Sequence, residues 1–152
     1  MTLATIEALA RTSGRILSVD FGDVRTGLAL SDPSRFLASG IGAVSPGGLE
    51  KTALAVADRA KGEGASAIVV GLPKNMDGSE GSRADRCRQF AERLADLVDP
   101  IPVALFDERL TTVSASRFLN ETNTRGKARK GVVDTLSAEI LLQDVLNRLK
   151  NL

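Results

Sequence analysis

The chain has 152 residues, of which 43% are hydrophobic and 26% are charged, and its formal net charge is +1 at pH 7. This length suits one domain with a substantial core, and the composition excludes a disordered or fibrous protein. Histidine is absent and Cys87 is the single cysteine, which excludes histidine-dependent nucleophilic mechanisms, histidine-zinc sites, thiolate metal clusters and an intrachain disulfide. Any metal would therefore be held by carboxylates, which favours Mg²⁺ or Mn²⁺.

No apolar run approaches the roughly 20 residues that a membrane-spanning helix needs, and the N-terminus lacks the basic region of a secretory signal. We therefore expect a cytoplasmic protein with no membrane partner. The absence of Trp and Tyr also argues against stacking of bases on an aromatic platform as the main mode of nucleic-acid binding.

Hydrophobic periodicity divides the chain into an N-terminal extension, residues 1–13, and one domain, residues 14–152. In chain order the domain is predicted to contain three strands, a helix, a strand, a helix, a strand and two helices. The strands are predicted within residues 15–31, 36–44, 67–72 and 103–106, and the helices over about 49–61, 82–98, 111–120 and 133–149. This order predicts an α/β fold with a mixed sheet, in which Cys87 is a core residue.

The first predicted strand ends in a carboxylate, Asp20. Alternation along a strand places Ile16, Ser18 and Asp20 on one face, toward the layer that covers the sheet. A buried carboxylate is costly unless it is paired, hydrogen-bonded or bound to a cation. Asp20 is therefore either a cation ligand or a turn-initiating residue that bonds the backbone before Gly22.

Further carboxylates follow the fifth strand and open the last helix. Asp107 and Glu108 are adjacent, so alternation sends their side chains to opposite faces and at most one converges easily with Asp20. Asp134 shares the buried stripe of the last helix, although it could instead be the N-cap of that helix. Three carboxylates that meet without a neutralising side chain are best explained by divalent cations, and two such cations can activate water and stabilise the leaving oxygen of a phosphodiester.

Clustered basic residues are the second feature of the sequence that indicates a function. Four cations lie within six residues just before Asp134, in what reads as a mobile loop over residues 121–130, and they are Arg125, Lys127, Arg129 and Lys130. Such a run is usually a solvated loop, but beside carboxylates it suits the phosphate backbone of a nucleic acid. Further phosphate contacts are predicted around the same edge, at Arg25, Lys74 and Arg109.

Four segments together resemble the YqgF family, and they are residues 19–27 (VDFGDVRTG), 70–78 (VGLPKNMDG), 107–112 (DERLTT) and 130–138 (KGVVDTLSA). The resemblance covers nearly the whole chain from about Arg15 onward. That family is described as pre-16S ribosomal RNA nucleases and as Holliday-junction-resolvase-like proteins. The resemblance implies a ribonuclease-H-like fold with a five-stranded mixed sheet flanked by helices. It also implies that Asp20, Glu108 and Asp134 are the catalytic, metal-binding acids, which selects Glu108 over Asp107.

The sequence therefore predicts a nuclease that uses Mg²⁺ or Mn²⁺ on structured nucleic acid. Processing of pre-16S ribosomal RNA and resolution of four-way DNA junctions are the two substrate hypotheses, and symmetric junction cleavage would require a homodimer. Two other classes stay open. One is a non-catalytic nucleic-acid-binding module of the same fold. The other is a phosphotransferase, because an Asp-x-Gly strand-turn-strand also opens the actin and sugar-kinase fold, although that fold duplicates the domain and this chain has room for one copy.

Overall fold

The computed structural model describes residues 3–110 and 127–152, and it describes the side chains of residues 3–109 and 135–152. The helices and strands of these residues are, in chain order, α1 (Ile6–Leu9), β1 (Ile16–Asp20), β2 (Thr26–Ser31), β3 (Ala38–Val44), α2 (Leu49–Gly62), β4 (Ala67–Leu72), α3 (Ser82–Val98), β5 (Val103–Asp107), a 3-10 turn (Glu108–Leu110) and α4 (Lys127–Lys150). The helix predicted over 111–120 lies outside the described residues. Within the described ranges, no helix has both the length and the apolar character needed to cross a bilayer.

The five strands form one mixed sheet in the order β3-β2-β1-β4-β5. β1 and β2 are antiparallel, as are β2 and β3, whereas β4 is parallel to both β1 and β5. Parallel neighbours need a crossover connection, and α3 provides the one from β4 to β5. The predicted α/β class and the five-stranded mixed sheet are confirmed.

One face of the sheet is covered by α2 and α3 and carries the larger apolar core. Leu17 and Val19 of β1 belong to this core, as does Phe21, whose ring stacks on that of Phe90 with 4.4 Å between centroids. Cys87 of α3 is buried in the same core, as predicted. Every residue of β4 is buried, because the central strands are covered on both faces.

The opposite face is covered by α4. The apolar stripe predicted for this helix is confirmed, since Ala138, Leu141 and Val145 are buried in a second core that also contains Ile16. The hydroxyl of Ser18, which is buried, donates a 2.6 Å hydrogen bond to the carbonyl of Ala138 and so ties α4 directly to β1.

Contacts with β3 show that α4 runs antiparallel to β1. The amide of Ala38, at the start of β3, donates to Gln143, whereas the amide of Gly40 donates to Glu139, one helical turn earlier in α4. β3 is antiparallel to β2 and therefore runs in the same direction as β1. Lower residue numbers in α4 thus lie nearer the carboxyl end of β1.

The start of the last helix differs from the prediction. α4 begins at Lys127, so the loop interpretation of residues 121–130 is wrong for 127–130, and the rest of that segment lies outside the described residues. The N-cap interpretation of Asp134 is also wrong, because seven helical residues precede it. Polarity alone suggested a loop, but Lys, Ala and Arg are strong helix formers.

The third strand begins two residues later than predicted. A carboxylate oxygen of Asp32 accepts the amides of Phe36 and Leu37 at 2.8 and 2.9 Å, so these amides end a turn instead of joining the sheet. Arg35 in this turn has a left-handed φ of 62°. β3 therefore starts at Ala38.

The N-terminal segment packs onto the domain. The amide of Ala4 donates to the carbonyl of Val103 at 2.8 Å, which places the segment along the start of β5. The guanidinium of Arg35 donates hydrogen bonds of 2.7 to 3.0 Å to oxygens of Leu9, Thr12 and Gly14. Leu9 itself is fully buried in the second core.

Candidate active site

Asp20 is the last residue of β1 and lies on the α4 face of the sheet, with 8% of its surface exposed. Its register partner on β2 is Gly27. On the other side, Val19 pairs with Val70 of β4, so the next position on β4, beside Asp20, is Gly71. Because both neighbours lack a side chain, the space next to Asp20 on this face is left to other groups.

Glu108 is the first residue after β5 and is 7% exposed. A Cβ atom added to Gly71 would lie 2.6 Å from Oε1 of Glu108 and 3.2 Å from Cδ2 of Leu141. The Glu108 carboxylate therefore occupies the space above Gly71, on the face that α4 covers. It comes from the far side of β4, since two strand spacings, about 10 Å, separate β1 from β5.

Asp107 has different surroundings from its neighbour. Its carboxylate accepts hydrogen bonds of 3.0 and 2.7 Å from Nε and Nη2 of Arg109, and the hydrogen bonding and charge of this guanidinium hold the pKa of Asp107 below its ordinary value. Val103 belongs to the first core and Phe106 to the second, so alternation sends Asp107 away from the α4 face. The expected separation of the two adjacent acids is confirmed.

The backbone of Asp134 lies in α4, and its side chain is outside the described residues. Position 134 is one helical turn before Ala138, whose carbonyl binds Ser18, and Asp20 is two residues beyond Ser18 on β1. Both steps measure about 6 Å, and α4 is antiparallel to β1, so position 134 lies level with Asp20. Among the side chains that the structure describes, no group of three or more Asp, Glu or Cys residues could hold a metal ion.

The chemistry of the donor set fits a hard divalent cation. Asp20 and Glu108 supply carboxylate oxygens, and the sequence offers no histidine that would favour zinc. Both carboxylates are more than nine-tenths buried, and a bound cation would offset part of the cost of removing them from water.

Two of the predicted phosphate-contacting residues lie at this edge with carboxylate partners. Nζ of Lys74 is 3.7 Å from Oε2 of Glu80, and Glu80 also accepts hydrogen bonds of 2.6 and 2.8 Å from Arg88. These cations, Arg88 first, lower the pKa of Glu80. Arg109 is bound to Asp107, as described above. Part of the positive charge of Lys74 and Arg109 is therefore already compensated.

The other predicted basic residues flank the edge. Arg25 is half-buried in the connection from β1 to β2, five residues after Asp20. The backbones of Lys127, Arg129 and Lys130 lie in the opening turns of α4, whereas Arg125 is outside the described residues.

The loop after β4 forms a hydrogen-bonded turn next to Glu108. The amide of Asn75 donates to the carbonyl of Ser79, and the amide and hydroxyl of Ser79 both donate to Asp77, which lowers the pKa of Asp77. Arg109 donates to the carbonyl of Met76 at 3.4 Å and joins the turn to the residue that follows Glu108. Met76 itself is 90% exposed.

Sequence reasoning did not assign a role to Gly71 or to the hydroxyl of Ser18. A usable signal was present for Gly71, because it interrupts an otherwise continuous apolar strand, and a glycine inside a strand often marks the close approach of another group. Ser18 was placed on the face of Asp20, but its partner, Ala138, is 120 residues away in the chain.

Relatives named "Putative pre-16S rRNA nuclease" match most of the chain. The protein of this name from Ruminiclostridium cellulolyticum is 40% identical over 136 residues, which is 89% of this chain and 95% of the relative. The one from Caldanaerobacter subterraneus subsp. tengcongensis is 42% identical over 139 residues, or 90% of this chain and 99% of the relative.

Among solved structures, RuvC of T. thermophilus in complex with a Holliday junction substrate aligns with a TM-score of 0.55 at 12% identity, over 90% of this chain and 96% of RuvC. This likeness concerns the fold and confirms the predicted ribonuclease-H-like architecture. A family model described as RuvX, Holliday junction resolvase, matches residues 14–148. The chain therefore belongs to the RuvX family, which is the YqgF family of the sequence resemblance.

Proposed function

We propose that this member of a nuclease family hydrolyses phosphodiester bonds of structured nucleic acid, with Asp20, Glu108 and Asp134 as its catalytic acids. One observation carries the proposal. Two carboxylates, one at the end of β1 and one directly after β5, are buried on the same face of the sheet beside a glycine of the intervening strand that leaves them space. Carboxylates grouped in this way can supply the oxygen ligands of a hard divalent cation.

The three acids would hold Mg²⁺ or Mn²⁺. When bound, such cations can activate a water molecule and stabilise the charge that develops on the leaving oxygen. Asp20 and Glu108 would reach the cations from the sheet. Asp134 would reach them from α4, which covers this face. The burial of Asp20 and Glu108 keeps bulk water away from these ligands and strengthens their attraction for a cation.

Basic residues around the edge would bind the phosphate backbone, and they are Arg25, Lys74, Arg109, Arg125, Lys127, Arg129 and Lys130. We expect the residues before and within the opening turns of α4 to contribute most. Lys74 and Arg109 should contribute less, because Glu80 and Asp107 already compensate their charge. Each phosphate contact that is lost should make the negative slope of log affinity against log salt shallower by roughly 0.7 to 0.9.

The names of the family and of the relatives indicate two substrates, a four-way DNA junction and a pre-16S ribosomal RNA end. Both would be encountered in the bacterial cytoplasm, which is the location that we propose. Symmetric cleavage of a junction needs two active sites and thus a homodimer, whereas trimming of RNA does not. Sedimentation at working concentration separates these cases, because a pure monomer would argue against the junction.

The decisive experiment measures cleavage of both labelled substrates in Mg²⁺, Mn²⁺ or EDTA, with wild type beside Asp20→Asn. We expect cutting that requires metal and Asp20, while binding of the substrate stays nearly unchanged. Asp23→Asn is the matched control, because Asp23 is an exposed acid three residues away that pairs with Arg86 on the surface. It should cut like wild type.

Two outcomes would contradict the proposal. Cleavage that survives Asp20→Asn would remove Asp20 from the active site. Binding of both substrates without any cutting would favour the non-catalytic binding module.

A further inference from the structure

We infer that Gly71 is a positioning residue, whose missing side chain leaves the slot in which the Glu108 carboxylate lies beside Asp20. This inference rests on the proposed function, in which Glu108 is a metal ligand. It adds a residue that has no ionisable group. Gly71 lies in one of the segments that carry the family resemblance, but neither the resemblance nor the sequence reasoning assigned it a role.

Two side chains border the slot, Glu108 and Leu141. A Cβ atom at position 71 would be 2.6 Å from Oε1 of Glu108 and 3.3 Å from its Cδ, and the first distance is shorter than a Cβ contact tolerates. Leu141 of α4 borders the same position, since its Cδ2 atom would be 3.2 Å from this Cβ atom. An alanine at 71 would therefore overlap the end of the Glu108 side chain and push the carboxylate out of the slot.

The register explains why the slot matters for a shared cation. Two oxygens bound to one Mg²⁺ lie within about 4 Å of each other, because each Mg–O distance is about 2.1 Å. Asp20 and Glu108 start from strands about 10 Å apart. Glu108 can approach Asp20 only across the intervening strand, and Gly71 is the β4 residue beside Asp20.

Backbone conformation does not require glycine here. Gly71 does not have the left-handed φ that Gly78 has in the following loop, and its neighbour Phe106 on β5 pairs with it regularly. Glycine inside a strand also weakens the strand. The empty volume is thus the property that the site uses.

The first test compares Gly71→Ala with Gly62→Ala, a control at the end of α2 where an added Cβ meets no atom within 4 Å. Binding of Mn²⁺ alone is measured by calorimetry, and cleavage is measured as a function of Mg²⁺ concentration. We expect Gly71→Ala to weaken Mn²⁺ binding and to raise the half-saturating Mg²⁺ concentration by about 10- to 100-fold, as changes behind metal ligands do. Gly62→Ala should change neither value. Unaltered Mn²⁺ binding in Gly71→Ala would overturn the inference.

The second test needs no activity and uses metal-free protein. The change in Tm caused by Gly71→Ala is measured in wild type and in a Glu108→Ala background, where the obstructing carboxylate is gone. We expect a clear loss of Tm in the first and a much smaller one in the second. Equal losses would overturn the inference, because they would assign the clash to Leu141 or to the backbone. If Gly71→Ala alone does not fold, refolding of the double variant supports the slot, and continued failure overturns it.

The two tests also separate this inference from the proposed function. If Asp20→Asn still cleaves, the nuclease assignment fails whatever Gly71 does. If Asp20→Asn abolishes cleavage and the Tm losses are equal, the active site stands and the positioning role of Gly71 is wrong.

Discussion

The two faces of the sheet are built from alternate residues of the same strands, yet they differ in chemistry. On the face under α2 and α3, β1 contributes Leu17 and Val19 to an apolar core that includes the stacked rings of Phe21 and Phe90. On the face under α4, β1 contributes Ser18 and Asp20, and position 71 of β4 has no side chain.

The face under α2 and α3 therefore contributes mainly to stability, whereas the face under α4 also carries the candidate active site. The first face can bury large side chains at close packing, because Asp20 and Glu108 lie on the other face. The second face must keep polar groups and space at its carboxyl edge, and it recovers packing further back, where Ala138, Leu141 and Val145 cover Ile16. Changes on the two faces should therefore affect different measurements.

The largest stability effect is expected on the apolar face. Phe90→Ala should lower the free energy of unfolding by about 3 to 5 kcal/mol, because it removes a fully buried ring, ends its stacking on Phe21 and leaves a cavity. Urea unfolding measures this loss. The half-saturating Mg²⁺ concentration for cleavage should be unchanged in the protein that remains folded. A changed value would show that the two faces are not independent.

A smaller stability effect, combined with an effect on the site, is expected for Ser18→Ala. Loss of its 2.6 Å hydrogen bond to Ala138 should cost about 1 kcal/mol of unfolding free energy. It should also raise the half-saturating Mg²⁺ concentration by about 10-fold, because this bond fixes α4, and with it Asp134, over β1.

Ser31→Ala is the control for Ser18→Ala. Ser31 is also buried in the sheet, and its hydroxyl accepts the amide of Ile16 at 2.9 Å, at the end of β1 opposite to Asp20. This variant should lose stability with no change in the metal requirement. An equal change of the metal requirement in both variants would mean that general loosening of the sheet, and not the position of α4, is responsible.

The smallest effect is expected for Asp107→Asn, because Asp107 is adjacent to Glu108 in the chain but lies on the opposite face. In the folded protein Arg109 holds the pKa of Asp107 below the ordinary 3.8, so the folded state binds fewer protons than the unfolded state in this pH range. The ion pair therefore stabilises the fold above about pH 4, and this contribution is lost as the pH falls through the lowered pKa.

Urea unfolding of wild type and Asp107→Asn from pH 7 to pH 2 measures this effect. The small advantage of wild type should disappear at the acid end, and metal-dependent cleavage should persist in the variant. Loss of cleavage equal to that of Asp20→Asn would contradict the division of roles between Asp107 and Glu108.

Much of the fold was predictable from local pattern. The alternation in Ile16–Asp20 indicated which residues share a face, and the stripe of Ala138, Leu141 and Val145 indicated the buried side of α4. Both are short-range periodicities that neighbouring residues determine. The start of α4 was not predictable in this way, because the polar residues from Lys127 onward fit an exposed helix as well as a loop.

Local sequence pattern was enough to predict the five strands, α2, α3 and the body of α4, the separation of Asp107 from Glu108 onto opposite faces, and a donor set made of carboxylates without histidine. The family resemblance selected Glu108 for the site. Only the tertiary structure decided that Glu108 lies above Gly71 and that position 134 comes level with Asp20. The reason is that these relations depend on the strand order β1-β4-β5 and on a contact between residues 120 apart, and no local periodicity encodes either.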